Sequence, residues 1–198
     1  MTITAKDVAA LRARTGAGMM DCKKALEETG GDVEKAVDLL RQKGIARAEK
    51  RAGRGAADGL IGHYVHFNGR VAVLVEINCE TDFVARTEDF QTLSRDIALH
   101  IASANPIAVS AAELPADVLE REKAIYAAQA AESGKPETVQ AKMVEGKLKK
   151  FFEERVLLEQ TYVKDDSLKV GDLVKAVSGK LGENLVVRRF VRFEVGGD

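Results

Sequence analysis

Few residues in this 198-residue chain are of types and spacings that do chemistry together. The histidines are His63, His66 and His100, and the cysteines are Cys22 and Cys79. Groups of this kind chelate metals or act as nucleophile and base when they converge. His63 and His66 stand three apart in a stretch of alternating hydrophobicity, so on a strand they project to opposite faces and do not share one metal. The cysteines form neither a CxxC pair nor a disulfide framework, which fits a reducing compartment. Neither has a histidine close in sequence, and a spatial partner stays open. Gly179-Lys180 lacks the upstream glycine and the following Ser or Thr of a phosphate loop, and no G-x-S-x-G or H-E-x-x-H occurs. Asp165-Asp166 reads as a turn and helix cap. No catalytic residue, metal ligand or cofactor is expected, and the chain is not expected to be an enzyme.

Two short segments stand out instead. Thr81-Asp82-Phe83-Val84-Ala85-Arg86 connects a predicted strand to a predicted helix, where loops carry function. Its plain alternative is a capping Thr or Asp with one core-facing Phe. Met19-Met20 follows the glycine turn Gly16-Ala17-Gly18; one methionine is expected to pack while its neighbour points roughly 100° away, toward solvent or a partner. A third feature is electrostatic. From Arg41 to Asp58 the cations Arg41, Lys43, Arg47, Lys50, Arg51 and Arg54 face only Glu49 and Asp58. Such a strip binds phosphates or is a solvated linker, and the lack of interleaved aromatics favours the linker.

The elements that position these segments follow from periodicity. Thr4, with Asp7 three residues on, caps a first helix that Gly16 stops, and Ile3 and Val8 are spaced as a hydrophobic staple. A second helix from Met19 to Thr29 sets Met19, Cys22 and Leu26 on one side. A third begins at Asp32 with the stripe Val33, Ala36, Val37 and Leu40. The basic stretch extends it into a flexible joint among Gly53, Gly55 and Gly59, with a domain boundary near residue 55. The period then changes to two. Leu60 to Phe67 and Arg70 to Asn78 flank Asn68-Gly69, which predicts a type I′ hairpin. Thr87 caps a helix bearing Phe90, Leu93, Ile97 and Ile101 and ended by Asn105-Pro106. Further helices are expected from Pro115 to the break at Ser133-Gly134-Lys135-Pro136, over 137–154, and from Asp166 or Ser167 to Gly182. Leu185 to Val195 alternates as a last strand, able to complete a three-stranded antiparallel sheet with helices on one face.

Composition agrees with a folded, water-soluble chain. Hydrophobic residues make up 45% and charged residues 31%, and the net charge of −1 gives no global bias toward nucleic acid or membrane. The N-terminus lacks the pattern of a signal peptide and no 18-residue apolar run occurs, so a cytoplasmic location is expected.

Three blocks, LRARTGAGMMDCKKALEETGGDVEKAVDLLRQKG, EINCETDFVAR and GENLVVRRFVRFE, closely resemble the bacterial translation elongation factor Ts family, in a match that runs nearly end to end. The resemblance implies an α+β chain: a three-helix bundle like the ubiquitin-associated fold in residues 1–55, a linker, and a core in 56–198. It implies guanine nucleotide exchange on elongation factor Tu, with Tu·GDP bound, GDP expelled, and nucleotide-free Tu held until GTP binds. By matching residues, Thr81, Asp82, Phe83 and Val84 are expected to disturb the magnesium and nucleotide site of Tu. Arg12, Met19 and Met20 are expected to contact its nucleotide-binding domain. Longer members carry a second core subdomain and a coiled-coil insertion, whereas this chain has room for one core unit, so a homodimer is expected. No direct nucleic-acid or membrane partner is expected. The competing reading is a plain binding module for a ubiquitin-like surface or for RNA.

Overall fold

The computed structural model describes residues 3–197. The chain is α+β. It runs α1 (Ala5–Thr15), α2 (Met19–Glu28), α3 (Val33–Glu49), β1 (Asp58–Val65), β2 (Val71–Cys79), α4 (Asp82–Ala85) and α5 (Glu88–Ala104). Then come α6 (Ala116–Ala131), α7 (Glu137–Arg155), β3 (Thr161–Tyr162), β4 (Asp165–Lys169), α8 (Val170–Leu181) and β5 (Val186–Glu194). The main sheet is antiparallel in the order β1-β2-β5, and β3 and β4 form a separate antiparallel ribbon. Two compact units result. One holds the chain up to Gly59 with Asn78–Phe90 and Val174–Val186; the other holds Leu60–Ile77, Gln91–Leu173 and the chain from Val187.

In the first unit, α1, α2 and α3 form a bundle around buried Val8, Leu11, Cys22, Ala25, Leu26, Ala36 and Leu40, with Ile3 packed against them. Its helix ends are set locally. The Thr4 hydroxyl accepts from the Asp7 N–H at 3.3 Å while the Asp7 carboxylate accepts from the Thr4 N–H at 2.9 Å, a reciprocal cap that satisfies two of the helix's orphan donors. Gly16, at φ 67°, ends α1 in a left-handed conformation that a Cβ would strain. The cationic stretch is mostly committed within the chain. Lys43 pairs with Glu28 at 2.7 Å, Arg47 with Asp21 at 2.8 Å and Arg54 with Glu80 at 3.7 Å. Val33 departs from its expected stripe, remaining 41% exposed, because it occupies the first turn of α3 before the helix reaches the others.

In the second unit, one face of the sheet packs on helix. Val73, Val75 and Ile77 of β2 are buried, as are Leu93, Ile97 and Ile101 of α5. A Cβ at Gly62 of β1 would come within 2.7 Å of the Ser94 carbonyl, so only glycine allows that strand and α5 to meet. Ile61, Val65, Leu74, Val191 and Phe193 remain exposed. The α6–α7 hairpin turns at Gly134 and is rooted by Phe151 and Phe152 on buried Ala108, Leu114 and Val156.

Two further expectations are corrected. The hairpin is not type I′. The Gly69 N–H donates to the His66 carbonyl at 2.8 Å across Phe67-Asn68, and only Gly69 of the pair adopts positive φ, so the loop is longer than two residues. Asp166 and Ser167 do not cap α8; they lie in β4, where the Asp165 carboxylate accepts from the Ser167 N–H at 3.0 Å and α8 begins at Val170. The Thr81 segment connects β2 to α5 as a single helical turn.

The β3–β4 ribbon is held on α5 by polar contacts. Buried His100 accepts the Val163 N–H at Nδ1 (3.2 Å) and donates from Nε2 to the Gln160 side-chain oxygen Oε1 at 3.0 Å, and Tyr162 donates to Asp96 at 2.8 Å. Burial holds the His100 imidazole below its ordinary pKa, only partly offset by the bond to Gln160. A neutral ring is therefore required in the folded state. The stability it contributes is present above the unfolded value near 6.5 and is lost as pH falls through that value toward the lowered one. The carboxylates of Asp7, Asp21, Asp32 and Glu34 are held below their ordinary values and titrate at lower pH. Urea-unfolding stability is expected to fall between about pH 7.5 and about pH 5.5, and His100→Gln is expected to flatten that fall. Equal pH dependence in the two proteins would remove His100 as its source.

Candidate functional site

The chain leaves β2 at Cys79, whose buried thiol donates to the Thr81 carbonyl at 3.1 Å. Burial, then the charges of Glu183 and Asp58, push this thiol up to about 11. It stays protonated at neutral pH and is no nucleophile. Beyond it, one carboxylate organises the next two residues. Glu183 Oε2 accepts from the N–H groups of Glu80 and Thr81 at 3.0 and 3.1 Å, and its Oε1 accepts from the Thr81 hydroxyl at 2.6 Å. Glu80 returns the contact, accepting the Asn184 N–H at 2.7 Å, and the Asn184 amide donates to the Arg54 carbonyl at 2.8 Å.

On this base sits α4. Thr81 is its extended N-cap residue, but its hydroxyl is committed to Glu183 and makes no capping bond. Asp82 accepts from the Arg86 guanidinium at 2.6 Å, an exposed pair one turn apart. Phe83 is 77% exposed, which rules out the core-facing alternative. Val84 is half-buried and its carbonyl accepts the Thr87 hydroxyl at 2.7 Å; Thr87 Oγ1 in turn accepts the Phe90 N–H at 3.3 Å and caps α5. A large apolar ring is thus held out in water on a turn whose base is fixed.

Arg12 lies exposed on α1, and Met19 and Met20 open α2. Both methionines face solvent, at 51% and 65% exposure, so the expectation that one packs is corrected: they sit in the first turn, where the helix has not yet reached the bundle core. All seven residues belong to the same compact unit. Glu80 and Glu183, which fix the loop, were not legible from periodicity. The available signal was the GENL block, whose glutamate follows a helix-stopping glycine. Among the described residues no cluster of His, Cys, Asp and Glu is disposed to hold a metal, and no helix is long and apolar enough to cross a membrane.

Comparison with known proteins matches the sequence along nearly its whole length. The family model described as Elongation factor TS covers residues 5–197. An Elongation factor Ts of Syntrophobacter fumaroxidans is 52% identical over 198 residues, covering 100% of this chain and 99% of its own. One of Syntrophomonas wolfei is 56% identical over 194 residues, 98% of this chain and 91% of the relative. One of Desulfotalea psychrophila is 56% identical over 196 residues, 99% and 100% of the two. The class so defined is that of the translation elongation factors. The chain belongs to the elongation factor Ts family.

The Glu183 contact is open to direct measurement. Glu183→Ala leaves the N–H groups of Glu80 and Thr81 without their acceptor, and is expected to cost about 1 to 3 kcal/mol. Hydrogen exchange should accelerate at Glu80 and Thr81 while α5 stays protected. Unchanged protection at these amides would show that the carboxylate does not hold the loop.

Proposed function

We propose that this chain is a guanine nucleotide exchange factor for elongation factor Tu. It binds Tu·GDP, promotes release of GDP, and holds nucleotide-free Tu until GTP enters. It makes and breaks no covalent bond of its own, needs no cofactor, and works in the cytoplasm. Exchange requires tighter binding to nucleotide-free Tu than to nucleotide-bound Tu, since equal binding shifts nothing. Weakening the nucleotide 10⁴-fold takes about 5.5 kcal/mol of differential affinity. The observation that carries the reading is Phe83, exposed on a loop with a fixed base. Burying such a ring between elements of the partner contributes roughly 1.5 to 3 kcal/mol, and only where the pocket has opened for it.

Asp82 works beside it. Its pair with Arg86 is exposed and one turn apart, of a kind worth about 0.3 to 0.5 kcal/mol, so the carboxylate is readily redirected toward the groups that support magnesium in Tu. Magnesium demands near-ideal octahedral oxygen coordination and bridges the phosphates, so disturbing its supports loosens both ligands. Thr81 and Val84 hold the wedge in place. Arg12, Met19 and Met20, in the three-helix part within residues 1–55, dock on the nucleotide-binding domain of Tu; the core in 56–198 carries the wedge. Three cations of the basic stretch already face carboxylates, which supports this reading over RNA binding.

The test is release of fluorescent GDP from Tu on chasing with unlabelled nucleotide. Phe83→Ala is expected to slow release at least about tenfold with the fold intact. Asp82→Ala should be less defective in excess EDTA than in magnesium. Normal release by the Phe83 variant rejects the wedge, and equal Asp82 defects in both conditions leave Asp82 a local structural residue. The active species is further proposed to be a homodimer, supported by exposed Ile61, Val65, Leu74, Val191 and Phe193 of the sheet. Sedimentation at micromolar concentration is expected to give a dimer, and a monomer exchanging at full rate would overturn it.

A further inference from the structure

The last turns of α8 touch both the helical bundle and the wedge loop. A Cβ at Gly179 would lie 2.7 Å from the Gly44 carbonyl oxygen and 2.8 Å from the Gly44 Cα, so α3 and α8 meet backbone to backbone, closer than any side chain allows. The obstacle is main chain, which does not swing aside as a side-chain end does. One turn away, Lys175 of α8 pairs with Glu49 of α3 at 3.0 Å. Lys180 pairs with Asp89 at 2.7 Å, and its alkyl chain fills the space a Cβ would need at Gly16, the cap of α1. Ser178 donates to the Glu183 carbonyl at 2.5 Å, and the Glu183 carboxylate holds Glu80 and Thr81. All these residues lie in one compact unit. The end of one helix therefore carries the bundle on one side and the base of the Phe83 turn on the other.

We infer that Gly179 is a positioning residue: its backbone contact with Gly44 fixes the spacing between the Met19-Met20 surface and Phe83, so that the two dock on the partner as one pre-organised body. This rests on the exchange reading above. Two surfaces held at a fixed separation that matches the partner make the second docking event intramolecular, at high effective concentration; letting that separation vary lowers the effective concentration even though both surfaces stay intact. The cost of loosening the joint then falls on apparent affinity. The rate at saturation, set once Phe83 is seated, changes little.

The variants that separate this role from a general packing role are Gly179→Ala and Gly44→Ala. The first drives a methyl into the α3 backbone; the second places its methyl where nothing lies within 4 Å. Spin labels at Lys24→Cys and Glu88→Cys, both exposed sites, read the spacing in the free protein, because Cys22 and Cys79 are buried and escape labelling. The parent and the Gly44 variant are expected to give one narrow distance distribution, and Gly179→Ala a displaced or broadened one with the same helix content. In nucleotide release, Gly179→Ala is expected to raise the half-saturating concentration about tenfold with the saturated rate changed less than about twofold. Adding Met20→Ala should then cost less than about threefold, against about tenfold in the parent. A Gly179→Ala distribution matching the parent, or a saturated rate that falls as far as the affinity, overturns the inference. If Gly179→Ala fails to fold, Lys175→Ala combined with Glu49→Ala must broaden the distribution, and its failure to do so overturns the inference equally. A parent protein that never binds Tu overturns the exchange reading and the docking half of this inference with it, while the distances still decide whether Gly179 sets the spacing.

Discussion

The carboxylate of Glu183 is the contact on which the rest of the candidate site depends. Three donors from Glu80 and Thr81 converge on it from a segment about a hundred residues away in the chain. Hydrogen bonds to an ionised acceptor are stronger than neutral ones, and here they satisfy backbone amides that no helix or strand partner reaches. Glu80 accepts the Asn184 N–H in return, so the two segments cross-brace each other. The side chain of Asn184 then ties the same point to the Arg54 carbonyl, at the end of the stretch that follows α3. Two residues after a glycine cap, Glu183 and Asn184, thus connect helix end, loop and linker.

Around that brace the chain leaves apolar side chains in water that it has core enough to bury. The bundle closes over Leu11, Cys22 and Leu26 at essentially zero exposure, yet Met19 and Met20, on the neighbouring helix turn, remain outside. Phe90 is fully buried at the start of α5 while Phe83, seven residues earlier, is not. Scattered surface hydrophobics need no explanation, but large flexible or aromatic ones at a fixed turn and at a helix start are the groups that bind partners. Under the proposed exchange role their burial would be reserved for the complex, which is the thermodynamic requirement for a protein whose work is to favour one state of another.

Much of this architecture was legible in the sequence because it is local. The caps at Thr4, Asp32 and Thr87 act within three residues, and the stripe Phe90, Leu93, Ile97 and Ile101 repeats at helical spacing, so residue type alone set those elements. The antiparallel sheet followed from alternation on both sides of Asn68-Gly69. What escaped was decided by distant partners. Asp165-Asp166-Ser167 has the composition of a cap, but pairing with Thr161-Tyr162 and the hold of Asp96 and His100 on that ribbon make it strand. Met19 has helical spacing to Cys22 and Leu26, yet spacing does not report where a bundle ends. The role of Glu183 depends on a partner in another block, and periodicity has no access to it.

Why the proposed wedge needs such a brace follows from comparing magnitudes. Ordering the backbone of one flexible residue costs roughly 1 to 2 kcal/mol, so seating an unstructured Thr81-Asp82-Phe83-Val84 segment would cost roughly 4 to 8 kcal/mol. Burial of the Phe ring returns only about 1.5 to 3 kcal/mol. A mobile loop bearing the same residues would lose more by ordering than its aromatic side chain gains, and would supply none of the differential affinity that exchange demands. With Glu183 holding the base, Thr87 and Val84 closing the far end, and α4 already wound, most of that entropy is lost on folding instead. It is then offset by the core of the protein rather than by the complex, and the energy of seating Phe83 is left to act on the partner.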